Sequence, residues 1–183
     1  MRGRKVMLAA MALLLPIGSA VAMGAGPAAA RANGLGKGTY SCTKEAGTIT
    51  FSPPLTFTAK VTKTTVKTTA SGCKGGTPAV TAQASSSITT KSSSCTGLAG
   101  STAFSITTTY TNGSTPSTLS GTAKGSTTNP VNFTITGKTT GSYASAKTTA
   151  KAVLNLTTTQ LASECGSKGI TTIKIVSGTI TTE

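Results

Sequence analysis

Few side chains of this 183-residue sequence could perform acid–base chemistry. The chain contains no His and no Asp, and its three carboxylates are Glu45, Glu164 and Glu183. A Ser-His-Asp triad is therefore impossible. A glycosidase pair would have to join Glu45 to Glu164, which stand close to cysteines and in no recognisable motif. The enzyme chemistry that remains as an alternative is a serine activated by a lysine base.

The four cysteines are Cys42, Cys73, Cys95 and Cys165, and no two of them form a C-x-x-C motif. Their spacing favours neither a zinc site nor a redox pair, so we expect no metal and no cofactor. Four cysteines in an exported chain most often form two disulfides, for which three connectivities exist. Antiparallel pairing of the first two strands would bring Cys42 to Cys73, leaving Cys95 to pair with Cys165. The alternative is Cys73–Cys95 with Cys42–Cys165.

The first 32 residues have the order of a secretory signal peptide. Arg2, Arg4 and Lys5 form a basic start, an uncharged apolar run follows, and Ala30-Arg31-Ala32 fits a small-residue cleavage site. We expect residues 1–32 to be removed and residues 33–183 to form a single disulfide-bonded β domain. That domain would be secreted or loosely associated with the cell wall. An uncleaved membrane anchor is the alternative, because the uncharged run is long enough to span a bilayer.

Positive charge dominates the mature chain. The leader holds four of the seventeen basic residues, so thirteen remain, all of them Lys, against three Glu. Such an excess favours an anionic partner, here a cell-envelope polymer or lipid surface. Four lysines within fifteen residues are the candidate contacts: Lys60, Lys63, Lys67 and Lys74. The alternative is that they only solubilise the outer face of a sheet.

The absence of Arg from the mature chain removes bidentate recognition of phosphate or guanine. Its seven aromatic residues mostly belong to the predicted core, which leaves no stacking platform for bases. We therefore expect no specific nucleic-acid partner.

Strict alternation of apolar and polar residues runs through most of the chain, with Thr on the polar face. Forty residues are Thr, a β-branched type that suits the solvated face of a sheet. Alternation of this kind predicts half-buried strands. We predict an all-β fold, an antiparallel sandwich or barrel of about eight strands, with one short helix near residues 159–165 and a last strand over about 170–182.

Apolar residues in phase with the alternation form the predicted core, while Tyr110 and Tyr143 are expected at its edge with solvated hydroxyls. The alternation slips near Lys63–Thr65 and near Ile175–Val176, and each slip could be a β-bulge. The predicted core consists of Ile49, Phe51, Phe57, Phe104, Ile106, Phe133, Ile135, Leu154, Leu156, Ile173 and Ile180.

A set of landmarks resembles a family of small secreted actinobacterial proteins of unknown function. The most specific landmark is the run Gly47-Thr-Ile-Thr-Phe-Ser-Pro-Pro-Leu55, and the others are the segments around the four cysteines. The resemblance covers essentially the whole mature chain. It implies export, a β fold and disulfides, and it brings no catalytic residues.

The sequence thus predicts a secreted, non-enzymatic protein that binds an anionic envelope surface through Lys. A secreted hydrolase with Ser/Lys machinery is one alternative. The other is an ice- or carbohydrate-binding surface built from Thr-x-Thr rows, as at 48–50, 56–58, 134–136 and 179–181.

Overall fold

A computed structural model describes residues 34–126 and 131–183, and eight antiparallel strands form a closed barrel there. Each strand pairs with its neighbours in sequence, and β8 closes the barrel on β1. The strands are β1 Lys37–Leu55, β2 Lys60–Thr77, β3 Ala82–Ser93, β4 Ser101–Tyr110, β5 Ser117–Ser126, β6 Asn132–Gly141, β7 Ser145–Leu154 and β8 Ile170–Thr182. A 3₁₀ helix, Thr96–Ala99, precedes β4, and helix α1, Thr158–Gly166, precedes β8. The predicted signal peptide, residues 1–32, lies outside the described residues.

The predicted fold class is confirmed, and of the two architectures the barrel is the one formed. Alternation works as expected in β6, where Phe133 and Ile135 face inward while Thr134 and Thr136 are exposed. The predicted helix and last strand are also present. Helix α1 begins at a capping box in which the Thr157 hydroxyl accepts from the Gln160 amide at 3.1 Å.

The first turn of the chain lies after the Pro53-Pro54 pair, which is still part of β1. Strand β1 continues to Leu55, and the chain reverses direction over residues 56–59. Strand β2 then pairs antiparallel with β1, with Lys63 opposite Ser52. Phe57, predicted to be in the core, lies in this turn and is 51% exposed. That prediction was wrong because alternation continued by chance into a loop.

One of the two predicted phase slips is a bulge. Ser177 lies opposite Val153 while Ile175 lies opposite Leu154, so Val176 is the extra residue and is exposed. The slip predicted near Lys63–Thr65 was wrong, since pairing with β1 and β3 runs through those residues without a shift.

Both disulfides follow the preferred connectivity. Cys42 lies opposite Cys73 in the β1–β2 ladder, with their Cα atoms 3.9 Å apart. Cys95, just before the 3₁₀ helix, is bonded to Cys165 on α1. We call the end of the barrel near Cys42–Cys73 the tyrosine end, and the end near Cys95–Cys165 and α1 the helix end.

Two separate apolar clusters lie at these two ends of the barrel. The cluster at the helix end includes Phe51, Leu154, Leu156 and Ile173, and that at the tyrosine end includes Ile180. These five predicted core residues are buried. The remaining predicted core residues within strands are only half-buried, because they face an internal cavity: Ile49, Phe104, Ile106, Phe133 and Ile135.

Candidate ligand-binding cavity

Between the two apolar clusters, the barrel encloses a cavity of about 340 Å³. An eight-stranded barrel is at the size where side chains can either fill the interior or leave room for one small ligand. Here small inward side chains leave the room, among them Ala123, Ala150 and Ala152. Most of the exposed wall of the cavity is apolar. The cavity therefore has the size and lining of a site for a small organic molecule.

Three tyrosines pack together at one end of the barrel, and Tyr40 among them lines the cavity. The rings of Tyr40, Tyr110 and Tyr143 meet edge to face, with centroids 4.8–6.1 Å apart. Tyr143 is 0% exposed, and its hydroxyl donates to the Pro78 carbonyl at 2.6 Å. Burial raises the pKa of Tyr40 and of Tyr110 above the ordinary phenol value. The expectation that Tyr110 and Tyr143 keep solvated hydroxyls was wrong, because buried partners satisfy these groups.

A glycine allows this packing. A Cβ at Gly76 would lie 2.6 Å from the Tyr143 ring, and Gly76 has a φ of +77°, which a residue with a side chain rarely adopts. The packing of Tyr143 thus depends on a glycine near the end of β2, far from Tyr143 in sequence.

The helix end is closed by a loop and a helix held together covalently. The Cys95–Cys165 disulfide ties the 3₁₀ helix to α1, and both cysteines are buried in the apolar cluster. Gly97 and Leu98 of the 3₁₀ helix line the cavity. At this end the disulfide therefore joins two segments outside the sheet, whereas the Cys42–Cys73 disulfide at the tyrosine end joins two paired strands.

The barrel wall is interrupted between β3 and β4. These strands pair only from Gln83 opposite Tyr110 to Ser86 opposite Thr107. Beyond that point, residues 87–93 and 101–106 have no ladder partner across the gap within the described chain. We call this gap the seam. Thr89 and Lys91 line the cavity from one side of it, and Phe104 and Ile106 do so from the other. The barrel wall therefore lacks backbone pairing along this part of the cavity.

Polar side chains gather on the cavity wall near the tyrosine end, and most of them pair with one another. Ser85 and Thr108 hydroxyls lie 2.9 Å apart, and Thr139 and Thr148 hydroxyls lie 2.7 Å apart. The Tyr40 hydroxyl donates to Gln83 Oε1 at 2.6 Å, and Tyr110 pairs with Ser117. All of these residues except the tyrosine Tyr110 line the cavity. The cavity is thus mainly apolar, with a cluster of paired polar groups near the tyrosines.

Glu45 is the carboxylate on this polar wall. It is 9% exposed, and burial raises the pKa of its carboxyl to about 7, while a hydrogen bond from Thr68 acts in the opposite direction. Gly178 leaves room for the side chain, since a Cβ there would lie 3.0 Å from Glu45 Oε2. The sequence indicates this inward position, because Glu45 is separated by an even number of residues from Ile49 and Phe51, which face inward on the same strand.

The structure does not bring the two candidate glycosidase carboxylates together. Glu45 lies near the tyrosine end. It is opposite Ala70 on β2, which is opposite Gln83 on β3, which in turn is opposite Tyr110 on β4. Glu164 lies on α1 at the helix end and does not line the cavity.

The predicted polyanion contacts are spread along β2. Lys63 and Lys67 are exposed on its outer face, Lys60 is half-buried where the strand begins, and Lys74 is exposed near its other end. From Lys60 to Lys74 the strand would extend roughly 45 Å if fully extended. The four do not form one compact patch, and polyanion binding stays a prediction.

Sequence reasoning missed Lys91, which is half-buried and lines the cavity beside the seam. Its inward neighbours on β3 are polar, so no apolar phase marks the strand. A Ser/Lys hydrolase would need a serine hydroxyl hydrogen-bonded to a lysine nitrogen, and the part of the chain described here contains no such bond. The Thr-x-Thr rows are not one array either, since Thr56 and Thr58 lie in the β1–β2 turn.

Comparison with known proteins adds no relative: no protein-family model, no curated protein and no solved structure matches this chain. The resemblance to small secreted actinobacterial proteins, carried by the Gly47–Leu55 run and the cysteines, stays a prediction. Within the described residues, no helix is long and apolar enough to cross a membrane.

Proposed function

We propose that this chain is an exported binding protein that encloses one small, mainly apolar molecule inside its barrel. The observation that carries the proposal is the mainly apolar cavity, which lies between two apolar clusters and whose wall lacks strand pairing at the seam. A cavity of this kind would take up the apolar body of a ligand and orient it by its polar end. Binding of such a body would be favoured by about 25 cal/mol for each Å² of apolar surface removed from water.

Two further observations support binding without chemistry, in an exported setting. The chain has no His and no Asp, and its four cysteines are all bonded in disulfides. Disulfides are typical of oxidising compartments, which agrees with a basic and apolar leader.

A neutral fluorescent naphthylamine, N-phenyl-1-naphthylamine, tests the proposal. We expect one molecule to bind per chain, with enhanced fluorescence. Ala123→Phe places a ring in the cavity and should weaken binding at least about tenfold, which corresponds to about 1.4 kcal/mol. Ala146→Phe is the matched control, since Ala146 is exposed on the outer face of β7. No saturable binding, or equal binding by the two variants, would contradict the proposal.

Adhesion to an anionic envelope polymer or lipid surface is a second candidate, favoured by charge. All described lysines except Lys60 and Lys91 are exposed, and few acids offset them. Lysine contacts of this kind tolerate many anions and weaken with salt, because the Debye length falls from about 10 Å at 0.1 M to about 3 Å at 1 M.

The triple change of Lys60, Lys63 and Lys67 to Gln should weaken binding to anionic vesicles or wall polymer. The change should leave folding intact, since Lys63 and Lys67 are exposed, Lys60 is half-buried at the start of β2, and exposed substitutions usually alter the free energy of unfolding by within about 0.5 kcal/mol each. Sedimentation with anionic vesicles at 0.1 M and 1 M salt measures the effect. Binding that survives 1 M salt, or that ignores the triple change, would show the electrostatic interpretation to be wrong.

A further inference from the structure

Glu45 is the one carboxyl on the described wall of the cavity, and no cation lies against it. The hydroxyl and amide groups around it form closed pairs, such as Ser85 with Thr108 and Tyr40 with Gln83. The carboxyl of Glu45 has a hydrogen bond from Thr68 but no cation. Among the described residues, the ion pair that forms is Lys147 with Glu183, both of them exposed on the surface.

The groups packed against Glu45 cannot supply a countercharge. Its β2 neighbours Thr68 and Ala70 and its β8 neighbour Gly178 are uncharged. The adjacent lysines of β1, β2, β7 and β8 are exposed on the outer surface; they are Lys44, Lys67, Lys151 and Lys174. The other titratable groups packed at this end are the phenols Tyr40, Tyr110 and Tyr143, which carry no positive charge. Lys91 lies eight residues beyond Gln83 on β3, roughly 26 Å along the strand.

We propose that the cavity binds a small, mainly apolar amine, with Glu45 pairing with the ammonium group and the apolar walls enclosing the rest of the molecule. This inference rests on the proposed function and names the ligand class of the same site. A carboxylate removed from water and left unpaired is strongly disfavoured, and a bound ammonium would restore the missing charge partner. The polar cluster around Glu45 would face the ammonium group, and the mainly apolar surface of the cavity would enclose the rest of the ligand.

The protonation of Glu45 gives the pairing a pH signature. Because burial raises the pKa of Glu45 to about 7, the carboxyl is largely protonated at pH 6 and largely ionised at pH 8. An ammonium binds the ionised form better. The affinity for an amine should therefore rise about tenfold from pH 6 to pH 8, and the affinity for a neutral analogue should not change.

Three naphthalene probes of nearly one shape separate the possibilities: 2-(1-naphthyl)ethylamine, 2-(1-naphthyl)ethanol and 1-naphthylacetate. The chain has no Trp, so probe fluorescence can be followed without interference from indole. At pH 8, the purified disulfide-bonded protein should bind the amine at least about tenfold more tightly than the alcohol, and the carboxylate most weakly. Glu45→Gln should abolish the preference for the amine and keep the binding of the alcohol. Glu164→Gln, which removes an acid outside the cavity, is the matched control and should keep the preference.

If Glu45→Gln does not fold, carbon NMR of the Glu45 carboxyl in the unaltered protein replaces it, and the amine should lower the pKa of that carboxyl. Equal binding of amine and alcohol, tighter binding of the carboxylate, a preference that persists in Glu45→Gln, or a carboxyl pKa unmoved by the amine would overturn the inference while leaving the cavity as a binding site. Failure of all three probes to bind would overturn the proposed function as well.

Discussion

The two ends of the barrel each carry a disulfide and an apolar cluster, yet they are built differently. At the tyrosine end, Cys42–Cys73 joins strands that are already paired, and the rings of Tyr40, Tyr110 and Tyr143 pack edge to face. At the helix end, Cys95–Cys165 joins two segments that lie outside the sheet, beside the unpaired part of β3 and β4. One end is thus an apolar cluster whose disulfide joins two paired strands. At the other end, a disulfide joins two segments outside the sheet, next to the unpaired part of β3 and β4.

Removing each disulfide separately is the strongest test of this difference. The closed loops span 31 and 70 residues, so loop-entropy arguments give about 3.7 and 4.4 kcal/mol of stabilisation. We expect Cys95→Ala with Cys165→Ala to lower the free energy of unfolding by about 4 kcal/mol and to weaken probe binding. Cys42→Ala with Cys73→Ala should cost nearly as much stability and leave probe affinity in the folded fraction unchanged. Urea unfolding and probe titration of both pairs measure this. Equal loss of probe affinity in the two variants would show that the ends do not differ as described.

Glu45 makes the tyrosine half sensitive to pH. Its carboxyl has a pKa of about 7 when folded, against an ordinary value of 4.5, so the folded state holds the proton more tightly. Stability from this group is complete below pH 4.5 and is lost as pH rises through 7. The loss is on the order of 3 kcal/mol, at about 1.4 kcal/mol per pKa unit. Glu45→Gln should remove the dependence and be more stable than the unaltered protein at pH 8. Urea unfolding of both proteins at pH 5 and pH 8 checks the sign, and a stability that rises with pH would contradict it.

The seam predicts a difference in rate between two half-buried phenylalanines of the cavity wall. Phe104 lies on β4 at the seam, whereas Phe133 lies on β6 in the continuously paired wall. Phe104→Ala should raise both the association and the dissociation rates of the naphthylamine probe several-fold, because it widens the opening. Phe133→Ala should weaken affinity mainly through faster dissociation. Stopped-flow fluorescence of the two variants separates these effects, and identical rate changes would place the path elsewhere.

Much of the architecture could be predicted from local pattern. Period-two alternation marks strands because successive side chains point to opposite faces, and it placed the last strand close to its observed bounds. The short helix predicted near residues 159–165 is also present, at Thr158–Gly166. The Cys42–Cys73 pairing followed from antiparallel return of the second strand, although the turn itself lies beyond Pro54. The misplaced Phe57 shows the limit, since alternation does not say where a strand stops.

The cavity and its polar residues required the tertiary structure. Parity with Ile49 and Phe51 turns Glu45 inward, but only the closed barrel makes that side chain a buried acid. On β3 the inward residues are polar and Ile88 is exposed, so the pattern there favours the wrong face for Lys91. The sequence by itself determined the strand content, which depends on local order along the chain, whereas the choice between the two disulfide connectivities came from the tertiary structure. Whether the interior is filled or hollow, and where the wall opens, was decided by how eight strands close around one axis.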